Sequence, residues 1–281
     1  MRVLLQVLGS AGLAFLPLPV AATEARIEVD ANIITALDTS ASVGRYEEFV
    51  EREGLAHAVA DPRFLESIRA GLHRQIGFAV VTWSSHGHTT TLVPWTRITT
   101  PEDAARVALR LRSIHLIEES QLLDRDIPTD HYEAPKGYYQ TDIALAIRSA
   151  SALLGSAPFA SRRSVINIVG NGPSNSGIDP TLAREAALDA TQVVNGLVVG
   201  YGLAGDVEYY RKHVIGGPGS FVMQVSNPQE MTDAFLAKFR LDIAGLSKAT
   251  PSDARFLTTP TIPINPVSEP GGLPCVYSGL F

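Results

Sequence analysis

Apolar positions change period repeatedly along this chain, and each change marks an element. From Arg26 to Leu37, the residues Ile27, Val29, Ile33, Ile34 and Leu37 begin in alternation and finish as a nearly continuous apolar run, the pattern of a strand buried on both faces. It predicts a central strand. Tyr46 to Gly71 follows a helical period, with Phe49, Val50 and Ala56 on one face. A break at Asp61-Pro62 and a second stretch carrying Phe64, Leu65 and Ile68 come before Gly71, which suits a helix end. Gln75 to Trp83 and Thr89 to Trp95 flank the polar link Ser84-Ser85-His86-Gly87-His88, a hairpin signal, and Pro94 places its second strand at a sheet edge. Helices are predicted over Glu102 to Leu111 and over Thr141 to Leu154, the latter with Ile143, Ile147, Ala150 and Leu154 on one face.

The second half keeps this rhythm. Ser164 to Val169 reads as a buried strand, and Pro180 to Ala190 as a helix capped by Asp179 with proline at its first position. Val193 to Val199 is a strand, Val207 to His213 a short helix and Phe221 to Val225 a last strand. Asn227-Pro228-Gln229-Glu230 gives a capping-box start to a helix in which Met231, Phe235, Phe239 and Ile243 recur at helical spacing. Strands alternating with helices predict an α/β fold: a doubly wound, mostly parallel six-stranded sheet with helices on both faces and one antiparallel edge strand.

Three segments fall outside the rhythm. Residues 1–22 combine Arg2, an apolar stretch and the small residues Val20 and Ala22, the features of a signal peptide cleaved after Ala22, with Ala25 as a second choice. The alternative is an uncleaved anchor, against which Pro17 and Pro19 shorten the run below the roughly 20 residues that a membrane span requires. The chain is therefore expected to be exported, periplasmic or secreted, with no membrane span after cleavage. Ser113 to Gln140 is a long connection carrying Glu118, Glu119, Asp124, Asp126, Asp130 and Glu133. A domain over residues 26–246 is followed by a tail, 247–281, whose prolines from Pro251 to Pro274 favour an extended arm.

Composition narrows the partners. With 45% hydrophobic and 19% charged residues, the chain can bury a substantial core. A net charge of −6 argues against a phosphate-binding surface, because counterion release needs clustered Lys and Arg, and no nucleic-acid partner is expected. Cys275 is the single cysteine, so no intramolecular disulfide contributes.

The chemistry concentrates in Asp38-Thr39-Ser40-Ala41-Ser42-Val43-Gly44, directly after the first strand. In an open parallel sheet ligands bind beyond the carboxyl ends of the strands. A turn that gathers positions i, i+2 and i+4 there presents one carboxylate and two hydroxyls, hard oxygen donors suited to magnesium or calcium. Thr141 opens a helix after the long connection, and Gly170-Asn171-Gly172-Pro173-Ser174-Asn175 follows a buried strand. With these loops in that order, the chain resembles a von Willebrand factor A domain with its metal-ion-dependent adhesion site, over roughly residues 27–244. Val93-Pro94-Trp95, Arg162-Arg163-Ser164-Val165-Ile166 and Val214-Ile215-Gly216-Gly217-Pro218-Gly219 add a closer resemblance to an exported bacterial branch of that fold, DUF1194-like and of uncharacterised function.

The resemblance implies that Asp38, Ser40, Ser42, Thr141 and Asn171 hold a divalent cation, Mg2+ or alternatively Mn2+ or Ca2+. An acidic side chain of a partner protein would complete the coordination. Members of the family place a carboxylate where this chain has Asn171. An amide coordinates without charge, which weakens the metal but leaves a bound cation more attractive to an outside acid. Asp142 offers a compensating carboxylate or, alternatively, a helix cap.

Other features carry less. His86 and His88 lack a third ligand nearby in sequence and read as an exposed turn. The acids of 118–133 lack the glycine of a calcium loop. Gly216 to Gly219 lacks a following Lys-Ser or Lys-Thr pair and reads as a tight turn. No Gly-x-Ser-x-Gly elbow is present. The expectation is a non-enzymatic binding module; the alternatives are a metal-assisted hydrolase or phosphatase using Asp38 or Ser40, and a metal-free scaffold.

Overall fold

The computed structural model describes residues 26–113, 140–188, 192–200, 204–245 and 248–258. At its centre β2 (Asn32–Asp38) is buried at every position. It pairs in parallel with β3 (Ile76–Trp83) on one side and with β6 (Ser164–Gly170) on the other. The sheet continues through β7 (Gln192–Val199) to β8 (Val222–Val225), both parallel, while β4 (Thr89–Ile98) closes the opposite edge antiparallel to β3. The six strands lie in the order β4-β3-β2-β6-β7-β8. Strand order reverses between β2 and β6, so a crevice opens at their carboxyl ends.

Helices cover both faces because each strand sends alternate side chains to opposite sides. Ile33 and Leu37 of β2 pack with Leu55, Phe64, Phe78, Phe235 and Phe239. These come partly from α1 (Arg45–Ala60), α2 (Pro62–Arg69) and α7 (Met231–Ala244), and α3 (Pro101–Arg112) adds Val107 and Leu111. Ile34 and Ala36 face the other way, against α4 (Ile143–Gly155), α5 (Pro180–Ala187) and Tyr210. Each fully buried Phe or Ile contributes about 1.5–3 kcal/mol. α6 (Ala204–Tyr209) runs into a π-helical turn, Tyr210–Val214.

Four local expectations change. The run from Arg26 to Leu37 is two strands: β1 (Ile27–Glu28) pairs with β5 (Phe159–Ala160) in a separate small sheet. The chain bends at Asp30, whose carboxylate accepts from the amides of His73 at 2.9 Å and Gln75 at 3.4 Å. Phe49 lies outside the core, 52% exposed, with the Arg52 guanidinium over its ring. Its place is taken by the face of α1 that carries Glu51, Leu55, Ala58 and Val59. The segment before α7 begins as a 3-10 turn, Pro228–Glu230, capped by Asn227 on the Gln229 amide.

The fourth change is at the start of the tail. Thr250 caps a one-turn helix, α8 (Pro251–Ala254), Phe256 is buried, and the Phe256 carbonyl accepts from the Gln224 amide of β8 at 2.9 Å. Proline is tolerated in the first turn of a helix, so Pro251 starts structure here. The segment 1–22, the acids of 118–133, the prolines from Pro260 onward and Cys275 lie outside the described residues. Among the described residues no helix is long and apolar enough to cross a membrane.

Candidate metal centre

β2 delivers Asp38, 1% exposed, to the crevice at the carboxyl ends of β2 and β6. The loop that follows is pinned at once. The amide and hydroxyl of Thr39 both donate to the Trp83 carbonyl, at 2.8 and 3.1 Å. The Ser40 amide donates to Asp38 Oδ1 at 2.7 Å, and the Val43 amide to the Ser40 carbonyl at 3.0 Å. This tight turn brings the Oγ atoms of Ser40 and Ser42 to 3.1 Å from each other. Alternate residues thus converge because the chain stops being extended at Asp38.

Two further loops join them. Ser42 Oγ donates to Asn171 Oδ1 at 2.8 Å, across from the end of β6. Thr141 Oγ1 donates to Ser40 Oγ at 3.2 Å. All five residues singled out in the sequence therefore form one cluster, graded from buried Asp38 and Ser40 to exposed Ser42. Thr141 is held by residues whose role is not visible in the sequence. Asn175 Oδ1 accepts from the Thr141 amide at 2.8 Å, and Ser174 Oγ donates to the Thr141 carbonyl at 2.9 Å. From the hairpin, Ser85 Oγ accepts from the Gln140 amide at 3.0 Å and the Ser84 carbonyl from the Asp142 amide at 3.3 Å. Asp142 caps α4 by accepting from the Leu145 amide at 2.8 Å. Its carboxylate also packs on Gly177, where an added Cβ would stand 2.3 Å from it.

Two buried groups coupled to Asp38 were missed by sequence reading. Both carboxyl oxygens of Glu51, 1% exposed, have no hydrogen-bond partner among the described residues, and neither does Tyr210 Oη. Burial, and after it the charge of Asp38, push the Glu51 carboxyl well above the usual carboxylate range; Glu47 and Glu48 push the same way. The Tyr210 hydroxyl is also raised, by burial first and then by Asp38 and Glu51. Gly170 stands between Tyr210 and the loop: a Cβ there would lie 2.7 Å from Tyr210 Oη and 3.2 Å from Asp38 Oδ2. The signal for Glu51 was its place on the α1 face that carries Leu55, four residues on, where apolar residues are expected.

Among the described residues no group of three His, Cys, Asp or Glu side chains converges, so the donors of the cluster are one carboxylate, three hydroxyls and an amide. A separate cleft of about 470 Å³ between α2, α7 and α8 is lined by Arg63, Arg240 and Arg255. Each is already paired, with Asp61, Asp253 and Asp233 respectively.

Residues 28–122 and 116–247 match the family described as a protein of unknown function, DUF1194. The chain belongs to the DUF1194 family. No curated protein matches this DUF1194 chain. Its fold is similar to that of proximal thread matrix protein 1 from the mussel byssus, in a structure with a zinc-occupied MIDAS motif. The identity is 16% and the TM-score 0.51, over 78% of this chain and 49% of that one. It is also similar to a von Willebrand factor type A structure from Catenulispora acidiphila, at 13% identity and TM-score 0.51, over 78% of this chain and 43% of that one. The DUF1194 chain thus spans less than half the length of either, and at these identities the likeness is one of fold: a von Willebrand A-like fold.

Proposed function

We propose that this DUF1194 protein is an exported, non-enzymatic binding module that holds a divalent cation, Mg2+ first with Mn2+ or Ca2+ as alternatives, and uses it to bind an acidic side chain of a partner protein. The ligands are Asp38, Ser40, Ser42, Thr141 and Asn171. The observation that carries this reading is the chain of oxygen contacts of 2.8 to 3.2 Å linking Ser42 to Asn171 and Ser40 to Thr141 across three separate loops. The donor set fits a hard cation, which prefers carboxylate, hydroxyl and carbonyl oxygen. The mussel structure, whose MIDAS motif holds zinc, supports the same placement through its shared fold.

The grading of the cluster toward exposed Ser42 leaves a face open to solvent. There a bound divalent cation keeps a coordination position open to an outside carboxylate, a hard oxygen ligand it prefers. Binding to the folded state alone stabilises it, by about 2.7 kcal/mol at a ligand concentration 100 times the dissociation constant. Millimolar Mg2+ or Mn2+ should therefore raise the melting temperature of the protein and give a saturable calorimetric isotherm. Asp38→Ala should abolish both, and Asn171→Asp should tighten binding. A melting curve unmoved by metal, and the same in the Asp38→Ala variant, would overturn the reading. Generic phosphate and ester substrates should show no turnover above that of Asp38→Ala.

A further inference from the structure

We infer that Glu51 belongs to the cation site as its second negative charge, replacing from α1 the charge that Asn171 does not supply. This rests on the cation-binding reading above and adds a residue that the loop motif does not contain.

A carboxyl group buried without a hydrogen bond is costly, and a native structure that keeps one calls for an explanation such as an ion. Glu51 is 1% exposed and both its oxygens are without partners among the described residues. Other buried acids do not share this condition. Glu48 is paired with Arg52 at 3.2 Å, Asp253 accepts from the Thr250 amide at 2.7 Å, and Asp242 has two amide donors and a lysine. Nor do the neighbours of Glu51 on the same helix compete for the role, since Glu47 already accepts from the Gly44 amide at 3.2 Å and Glu48 is held by Arg52.

The charges that act on Glu51 are all negative, Asp38 first and then Glu47 and Glu48. No side chain of the described protein offsets it. A divalent cation near Asp38 would. With Asp38 alone a bound cation keeps one uncompensated positive charge; with Glu51 ionised as well, the charges balance. Glu51 also sits on the inward face of α1 where Leu55 and Val59 are core residues, so packing alone would favour an apolar side chain there.

The test is a calorimetric titration with Mn2+ of the full chain and of Asp38→Ala, Glu51→Gln and Glu51→Gln with Asn171→Asp. Metal-free melting curves establish that each variant is folded. Glu51→Gln keeps the shape and removes the charge, and it should weaken Mn2+ binding by about tenfold or more while leaving the metal-free protein as stable or more so. Adding Asn171→Asp should restore the affinity by a larger factor than the same change gives in the parent chain; an equal factor in both would mark Glu51 as structural and overturn the inference. Glu51→Gln binding Mn2+ within about twofold of the parent, while Asp38→Ala does not bind, would overturn this inference and leave the cation-binding reading standing. A folded parent chain that binds no metal would overturn both.

Discussion

At the scale of single residues, the cluster depends on atoms that are absent as much as on those present. Gly177 has φ of +78°, and a side chain there would meet the Asp142 carboxylate that caps α4 next to Thr141. Gly177→Ala combines a left-handed backbone, which costs about 1–2 kcal/mol for an L-residue, with that collision. It should lower the melting temperature and, by moving Thr141, weaken metal binding as well; a stability loss with unchanged metal affinity would show that Thr141 is held by Asn175 and Ser174 alone. The acid and hydroxyls at Asp38, Ser40 and Ser42 were legible because a turn brings alternate positions together. Thr141 was legible only through family resemblance, since 99 residues separate it from Ser42 in the numbering. Glu51 was not identified, because an acid on a helix is normally a solvated one and its burial is set by how α1 lies on the sheet.

At the scale of elements, polar groups lock α7 to the sheet. Asp242 is fully buried and accepts from Asn167 Nδ2 at 2.6 Å on β6 and from Asn195 Nδ2 at 2.9 Å on β7, with Lys238 Nζ at 3.4 Å. Asp242→Ala leaves a buried lysine and two amides without their acceptor and should cost roughly 3–5 kcal/mol in chemical denaturation. Lys238 lies over the Phe221 ring, and burial lowers its pKa from the ordinary 10.5 to about 8 against the raising pull of Asp242. Between these values the unfolded chain holds a proton that the folded chain has lost, so this group makes stability rise with pH. Its contribution is complete above the unfolded pKa and lost as pH falls through the folded one. Lys238→Met should flatten that alkaline rise when urea unfolding is compared across the window; an identical slope in the two proteins would contradict it. None of this was visible in the helical spacing of Met231, Phe235 and Phe239, which located α7 but not the polar residues on its inner face.

At the scale of the molecule, β8 ends the sheet, and an uncovered edge strand invites pairing with other chains. Residues 254–258 cover it, through Gln224 to Phe256 at 2.9 Å and Thr258 to Val222 at 3.2 Å, with the Phe256 side chain 4% exposed. The family match stops at residue 247, short of this cover. A chain ending at 247 should therefore be less stable than one ending at 258, by about the 3–5 kcal/mol of a lost buried Phe, and should aggregate more readily in light scattering. Equal melting temperatures would show that the cover adds nothing to the domain.

The sequence by itself determined the kind of fold: apolar periods of two and of 3.6 residues, set by backbone geometry, located the central strand, the hairpin and the helices. It also determined the composition of the first loop, because a turn after a buried strand needs only local residues. Tertiary structure decided the rest. The bend at Asp30 depends on amides more than forty residues away, and the folding back of Pro251 to Leu257 depends on a free sheet edge. The meeting of Ser40 with Thr141 and of Ser42 with Asn171, and the burial of Glu51, are long-range contacts whose partners are fixed only when the strands settle into register.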